Sequence, residues 1–395
     1  MSLNQVRLMF IPLLATLIMA GFVTTIGLLT EPAANHFGVP ITEVASQFSW
    51  LAGGVFVGGI VAFFIYDHGS IKTVITWSYL IALVSILLLH FYSSYWLVPV
   101  LLAVIGTLMA VVGCGGVTVI TQQWLGRRRQ SIMVAQDAMF NGGGIMFSAL
   151  ATWFVVNHFG WSSVYLIVTV LMGIVVLLAV TSDFTPVVEV VEEEGLGGGV
   201  GSWNTGIILV GFSLLLFMTA KIAIFVWAPQ FIQQNFGTGP EAGGQFMANV
   251  FLAAFVGSIF GTWAATRFEV KYLLYTFVLI SLVSVFAMTA VNSTTVVLLL
   301  GYGYGISVSA TYNSYVAFGL SFMEQPSHKN VVYLQLMSGL GSTIAPFVSS
   351  KIVEWTGETS SAIFFCAVML AIVAVTLIAC EVLHRRSEIL RIQPA

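Results

Sequence analysis

The sequence predicts an all-α integral membrane protein with twelve transmembrane helices in two pseudo-symmetric six-helix bundles. Three observations carry this. Of 395 residues, 58% are hydrophobic and only 7% charged, against about 25% charged in a soluble domain. A globule of this size lacks the polar surface to cover so much apolar side chain. Apolar runs recur at the length a bilayer demands, about 20 residues per helix. They are continuous, unlike the short alternating segments of a membrane barrel. Finally, the second half of the chain echoes the first.

Twelve runs qualify: roughly 8–30, 44–65, 73–91, 96–123, 131–156, 164–182, 204–232, 245–266, 272–291, 295–322, 331–352 and 361–382. The first follows one basic residue, Arg7. It is longer than the apolar core of a signal peptide, so it reads as a retained first helix. Six runs fill residues 1–182. The longest polar gap follows at 183–203, DFTPVVEVVEEEGLGGGVGSW. Its acidic cluster, Glu192 to Glu194, reads as a solvated face, and its five closely spaced glycines mark a flexible linker. A second six-helix bundle with a short tail occupies 204–395. FVGGI at 56–60 precedes Lys72, and FVGSI at 255–259 precedes Lys271, an offset of 199 residues in both places. With the linker midway between, duplication is the better explanation. Parallel halves that rock about a central site describe a large class of secondary transporters.

Basic residues orient the chain. With both termini cytoplasmic, Arg7, Lys72, Arg127 to Arg129, Arg267, Lys271, Lys329, Arg385, Arg386 and Arg391 fall on one side. That leaves Lys351 at an outer helix end and Lys221 within a span. Cys114, Cys366 and Cys380 sit inside apolar runs, so no disulfide framework is implied. The six histidines lack ligand spacing, so neither metal nor cofactor is expected. No nucleophile–base constellation appears, and Gly-rich 195–201 lacks the strand and Lys-Ser/Thr of a phosphate loop. Enzymatic chemistry and nucleic-acid binding are not expected.

In FMTAKIAIFVWAP, 217–229, a lysine interrupts an apolar run. A lone charge in lipid costs roughly 2.5–3.5 kcal/mol on insertion scales. Lys221 and Asp137 are the two ionisable residues well within spans. At 1.5 Å per residue, Asp137 lies about 9 Å and Lys221 roughly 23–25 Å from the cytoplasmic face. The difference, about 14 Å by the same rise, makes a direct pair the second choice. Lys221 can instead reach Glu31 at the end of helix one, meet substrate in a wet cavity, or snorkel to the outer interface. Asp137 has a structural alternative, as a partner of the arginine cluster 127–129 or of a helix dipole. Burial disfavours a charged carboxylate, which makes Asp137 the best candidate for proton coupling. Intramembrane ionisable groups are functional hypotheses by default.

The twelve spans, the six-plus-six split and the long central loop resemble the major facilitator superfamily. AQDAMFNGGGIMF in helix five carries a D-x-x-F-x-x-x-G run at Asp137, Phe140 and Gly144. PSHKNVVYLQLMSGLGSTIAPFVSSKIVEWTG, 326–357, supplies Pro326, Ser327, Lys329 and Val331, the pair Gly339 and Gly341, and an Ile352-Val353-Glu354 end before Gly357. With Trp227 and Pro229 in helix seven, these are similar to the fucose-permease branch, and within it to the TsgA-like proteins of bacterial inner membranes. The resemblance has gaps. Of the usual G-x-x-x-D-R-x-G-R-[RK] loop, AFFIYDHGSIK keeps Asp67, Gly69 and Lys72. Helices one and four lack a carboxylate well inside, and NGGGIMFSAL lacks the proline of the antiporter signature.

The resemblance implies the major facilitator fold, with helices one, four, seven and ten lining a cavity. On those helices the candidate substrate contacts are Lys221, Thr25, Thr121, Gln122, Tyr304, Ser307, Thr311 and Asn313. In helix ten a polar stripe runs through Tyr304, Ser307, Thr311 and Tyr315, a cavity face or helix–helix glue. Gln136, Asn141, Asn249 and Gln335 are further candidates, with interhelical hydrogen bonding as their alternative. Glu31, Asp67, Arg127 and Arg128 are gate candidates. The expected function is a monomeric secondary transporter in a bacterial inner membrane, working by alternating access. It would couple protons to uptake of a small polar solute, a sugar or organic anion. Proton-driven export of a toxic anion or drug is one alternative. A non-transporting membrane sensor is another, weakened by the lack of a soluble domain to receive its signal.

Overall fold

The computed structural model describes residues 2–92, 94–124, 126–185, 204–265, 267–323 and 328–392. Most of the expected linker, 186–203, lies outside the described residues. Fourteen helices among the described residues build twelve candidate membrane spans. The first half holds α1 (Leu3–Val23), α2 (Ile26–Phe37), α3 (Ile41–His68), α4 (Ile71–Phe91), α5 (Val98–Gln123), α6 (Gly126–Val156) and α7 (Val164–Thr181). The second holds α8 (Thr205–Phe236), α9 (Pro240–Ala265), α10 (Val270–Ala290), α11 (Thr294–Ser309), α12 (Thr311–Leu320), α13 (His328–Thr356) and α14 (Ser360–Ile392). Trp77 and Trp263 are exposed near one face of the bundle, Trp96, Trp153 and Trp355 near the other, as interfacial belts require.

Helix ends follow their local chemistry. Ser2 and Gln5 form a capping box on α1, and Asn204 accepts from Gly206 N at 2.9 Å to cap α8. Gly38 ends α2 and Gly237 ends α8, both left-handed with φ of 65° and 60°. These two glycines lie 199 residues apart. The same offset relates the closest helix crossings. A Cβ on Gly106 would lie 2.1 Å from Leu51 O, joining α5 to α3. A Cβ on Gly305 would lie 2.1 Å from Val250 O, joining α11 to α9. The other contacts repeat too: α1–α6 matches α8–α13, and α4–α7 matches α10–α14.

Two expected spans are each split into two helices. Helix one breaks at Thr24 and Thr25, whose hydroxyls donate to Ala20 O and Gly21 O at 2.8 Å. Such back-bonding to the i−4 carbonyl bends a helix. The chain then continues to Phe37, so Glu31 lies in the middle of α2 and not at a helix end. Helix ten breaks at Ala310, with φ −117° and ψ 8°. There Ser307 Oγ donates to Tyr304 O at 2.6 Å, Ser309 Oγ to Ile306 O at 2.7 Å and Thr311 Oγ1 to Ser307 O. Both runs are continuously apolar or small, so hydrophobicity alone conceals the breaks.

The halves meet along two seams, α3–α13 and α6–α9, and at one end through α2–α8. On the α6–α9 seam Gly144 lies against Phe251 and Gly244 against Thr152. On the α3–α13 seam Gly339 lies against Phe56. Within the second half, Trp227 is fully buried and its Nε1 donates to Ser349 Oγ at 3.0 Å.

Candidate functional site: a central cavity

A cavity of about 750 Å³ lies between the halves. It follows α3 from Phe48 to Asp67 and α13 from Val332 to Pro346. Asp67 and Val332 lie near the helix ends on the face that also carries both chain ends. The cavity therefore reaches that face. The opposite end is shut. A Cβ on Gly27 of α2 would lie 2.3 Å from Phe225 O and 2.7 Å from Val226 O of α8. Gln230 Nε2 donates across to Gly27 O at 3.2 Å. Pro229 explains the choice of carbonyl: it has no N–H to donate to the i−4 oxygen, which is Phe225 O. The bare glycine packs where the helix has a free acceptor.

Lys221 lines the cavity, half-buried. Its Nζ lies 5.9 Å from the centroid of the Phe225 ring, within cation–π range. Phe225 packs on Phe251 at 5.3 Å and Phe251 on Phe140 at 6.3 Å. This aromatic row runs from α8 through α9 to α6, ending one turn beyond Asp137. Asp137 is exposed on α6, not buried as the sequence suggested, and does not line the cavity; its charge acts on the Lys221 ammonium at a distance, and the two form no ion pair among the described residues. The cost of a lone lysine in an apolar span is thus reduced by cavity exposure, an aromatic face and a distant carboxylate.

Among the other candidates, Gln335 and Asp67 line the cavity. Gln136 Nε2 donates to Thr16 Oγ1 of α1 at 3.3 Å, Asn141 Nδ2 to Ser258 Oγ of α9 at 3.4 Å, and Asn249 Nδ2 to Leu298 O of α11 at 3.1 Å. These amides join helices. Thr25 and Thr121 donate to carbonyls of their own helices, Gly21 O and Thr118 O. Gln122 is half-buried on α5, and Asn313 is exposed on α12; neither lines the cavity. The helix-ten stripe faces neighbouring helices: Ser307 Oγ meets Ser281 Oγ at 2.6 Å, Tyr315 Oη meets Ser213 Oγ at 2.9 Å, and Tyr304 and Thr311 are buried. Arg128 is exposed, and the side chain of Arg127 lies outside the described residues. Among the described residues no group of His, Cys, Asp and Glu could hold a metal ion.

The sequence reading passed over most of the wall. Phe48, Phe56, Phe63, Phe64 and Phe140 line it, with Ser338 and Ser342. On α3 the lining positions 48, 51, 52, 55, 56, 59, 60, 63, 64 and 67 recur at three- and four-residue spacing, a helix face. A phenylalanine stripe facing a cavity looks the same in sequence as one facing lipid.

The sequence profile of the Major Facilitator Superfamily matches residues 12–332. A TsgA homolog of Edwardsiella ictaluri is 20% identical over 354 residues, 90% of each chain. Among solved structures, the D-xylose-proton symporter superposes with a TM-score of 0.75 at 11% identity, covering 95% of this chain and 97% of that one. A bacterial homolog of the human lysosomal transporter Spinster, inward-facing and occupied, gives 0.73 at 14% identity, covering 96% and 97%. Twelve spans, two repeated halves, a cavity between them and a profile match over most of the chain agree: this protein belongs to the Major Facilitator Superfamily, a family of secondary transporters and not of enzymes.

Proposed function

We propose that this transporter works by alternating access in a bacterial inner membrane, with both termini cytoplasmic, and couples proton movement to uptake of a small polar solute. The observation that supports this best is the cavity, open at one face and shut at the other, with Lys221 on its wall and Asp137 within reach of its charge. With cytoplasmic termini the open face is the inner one. The basic side chains grouped on that face support this orientation. Names among the compared proteins, a proton symporter and a nucleoside transporter, are compatible with such a cargo.

Asp137 is the proton carrier in this reading. Lys221 of α8 acts on its charge. Lys221 holds the solute, and Gln335 and Tyr312 orient it. Gly27 and Gln230 close the outer end, and Asp67 guards the inner mouth.

The test is proton uptake by proteoliposomes loaded with a pH-sensitive dye and offered candidate solutes under an imposed pH gradient. Acid outside should accelerate solute entry, and Asp137→Asn should abolish that dependence. Solute entry by the variant with an unchanged pH profile would sink the coupling role.

A further inference from the structure

We infer that the cavity takes an amphipathic monoanion: a single carboxylate or sulfonate on an apolar, ring-sized body. The inference rests on the transport reading above and names its cargo class. About 750 Å³ is the size of a small-molecule site. Its wall is mainly phenylalanine and aliphatic side chain, and Lys221 is the one cation on it among the described residues. The uncharged polar groups are few: Tyr312, Gln335, Ser338 and Ser342. Ser342 Oγ already donates to Ser338 O at 3.0 Å. A sugar brings a hydroxyl on nearly every carbon. Each one left without a partner costs about 1–3 kcal/mol, and this wall cannot serve them all. A dicarboxylate fares no better. Its second charge would find no second cation among the described lining residues, and Asp67 stands at the mouth.

In the transport reading above, Asp137 carries the proton and Lys221 holds the solute. One proton enters on Asp137 and one anion enters on Lys221, and both leave at the other face. The step moves no net charge.

The experiment compares four probes on the purified full-length protein: benzenesulfonate, benzenesulfonamide, xylose and succinate. Benzenesulfonate stays ionised and does not leak through bilayers as a neutral acid would. Ligand binding raises the unfolding temperature by mass action. The expected result is an apparent affinity for benzenesulfonate about tenfold or more tighter than for the other three, a gap worth one decade in Kd. Lys221→Gln should erase the gap and Lys221→Arg should keep it. The wild-type comparison needs no variant, so misfolding of either cannot hide the answer. Counterflow of labelled benzenesulfonate in proteoliposomes needs no gradient and reads recognition alone. Counterflow without gradient-driven uptake would overturn proton coupling and leave the cargo class standing. Xylose or succinate matching benzenesulfonate, or equal binding of sulfonate and sulfonamide, would overturn the cargo class; an electrical current accompanying sulfonate uptake would overturn the proton coupling.

Discussion

Gly106 rests on Leu51 O in the first half, and Gly305 rests on Val250 O in the second, each pair shifted by 199 residues. Gly38 and Gly237 end their helices at the same offset. The frame is duplicated. Other positions are not. Asp137 corresponds to Leu336, which lines the opposite wall, and Lys221 corresponds to Phe22, buried and stacked on Tyr165 at 4.4 Å. The break at Thr24 and Thr25 corresponds to Ala223 and Ile224 inside unbroken α8, and the break at Ala310 to Val111 inside unbroken α5. Close helix crossings tolerate little change, because backbone meets backbone there. The cavity wall is free to diverge. Each half therefore keeps the same packing while its charges differ: Asp67 and Lys221 line the cavity, and Asp137 does not.

The strongest way to break this comparison is to attack the frame. Gly106→Leu and Gly305→Leu should each remove most folded protein, as read by size-exclusion of a fluorescent fusion. A Cβ 2.1 Å from a carbonyl forces helices apart at about 1–3 kcal/mol or more. Gly173→Leu, where nothing lies within 4 Å, should fold normally. If only one of the Gly106 and Gly305 variants failed, the halves would not share a frame in energetic terms.

Next come the unshared charges. Lys221→Gln and Asp137→Asn should each slow transport about tenfold or more with folding intact. The double variant should lose less than the sum, since interacting sites are not additive. Full additivity in solute flux would show that the two groups act separately.

A smaller effect belongs to the shut end. Gly27→Ala places a methyl against Phe225 O and Val226 O, so closure there should weaken and the population shift toward the state open on that face. Accessibility of a cysteine placed at Gln230 to a membrane-impermeant thiol reagent should rise severalfold. No change would mean that α2 and α8 do not need the close approach.

The smallest difference concerns Lys72 and Lys271, which share the offset but not their partners. Lys72 Nζ donates to Val180 O and Ser182 O at 2.7 and 3.1 Å, tying α4 to the end of α7. Lys271, half-buried, pairs with the exposed Glu269 at 3.0 Å. Lys72→Gln should cost about 0.3–1 kcal/mol through lost helix-end carbonyl contacts. Lys271→Gln should cost less, because exposed pairs are worth about 0–1 kcal/mol before salt screening. Thermal unfolding of the two variants side by side ranks them.

The legible part of the site was its charge. Lys221 stands out in an apolar run because lipid penalises it, and that penalty is visible one residue at a time. Gln335 was visible for the same reason. Ser307 and Thr311 carried the same polar signal and yet face α10 or their own helix carbonyls. A hydroxyl can be satisfied within its own turn, so its spacing cannot say which way the helix is rolled. The phenylalanine wall gave no signal, since an apolar cavity and a bilayer select the same side chains.

By itself the sequence determined the twelve spans, the repeat and the two intramembrane charges. Each follows from a local rule: a bilayer sets the length of an apolar run, a fixed offset survives duplication, and charge is excluded from hydrocarbon unless it has a use. Tertiary structure alone decided which faces of those helices meet. It split helices one and ten through side-chain hydroxyls that bind backbone, shut one end through Gly27 on the carbonyl freed by Pro229, and left the other end open with Lys221 on the wall. Those outcomes depend on helix rotation and on contacts between residues some 200 positions apart, which no local pattern encodes.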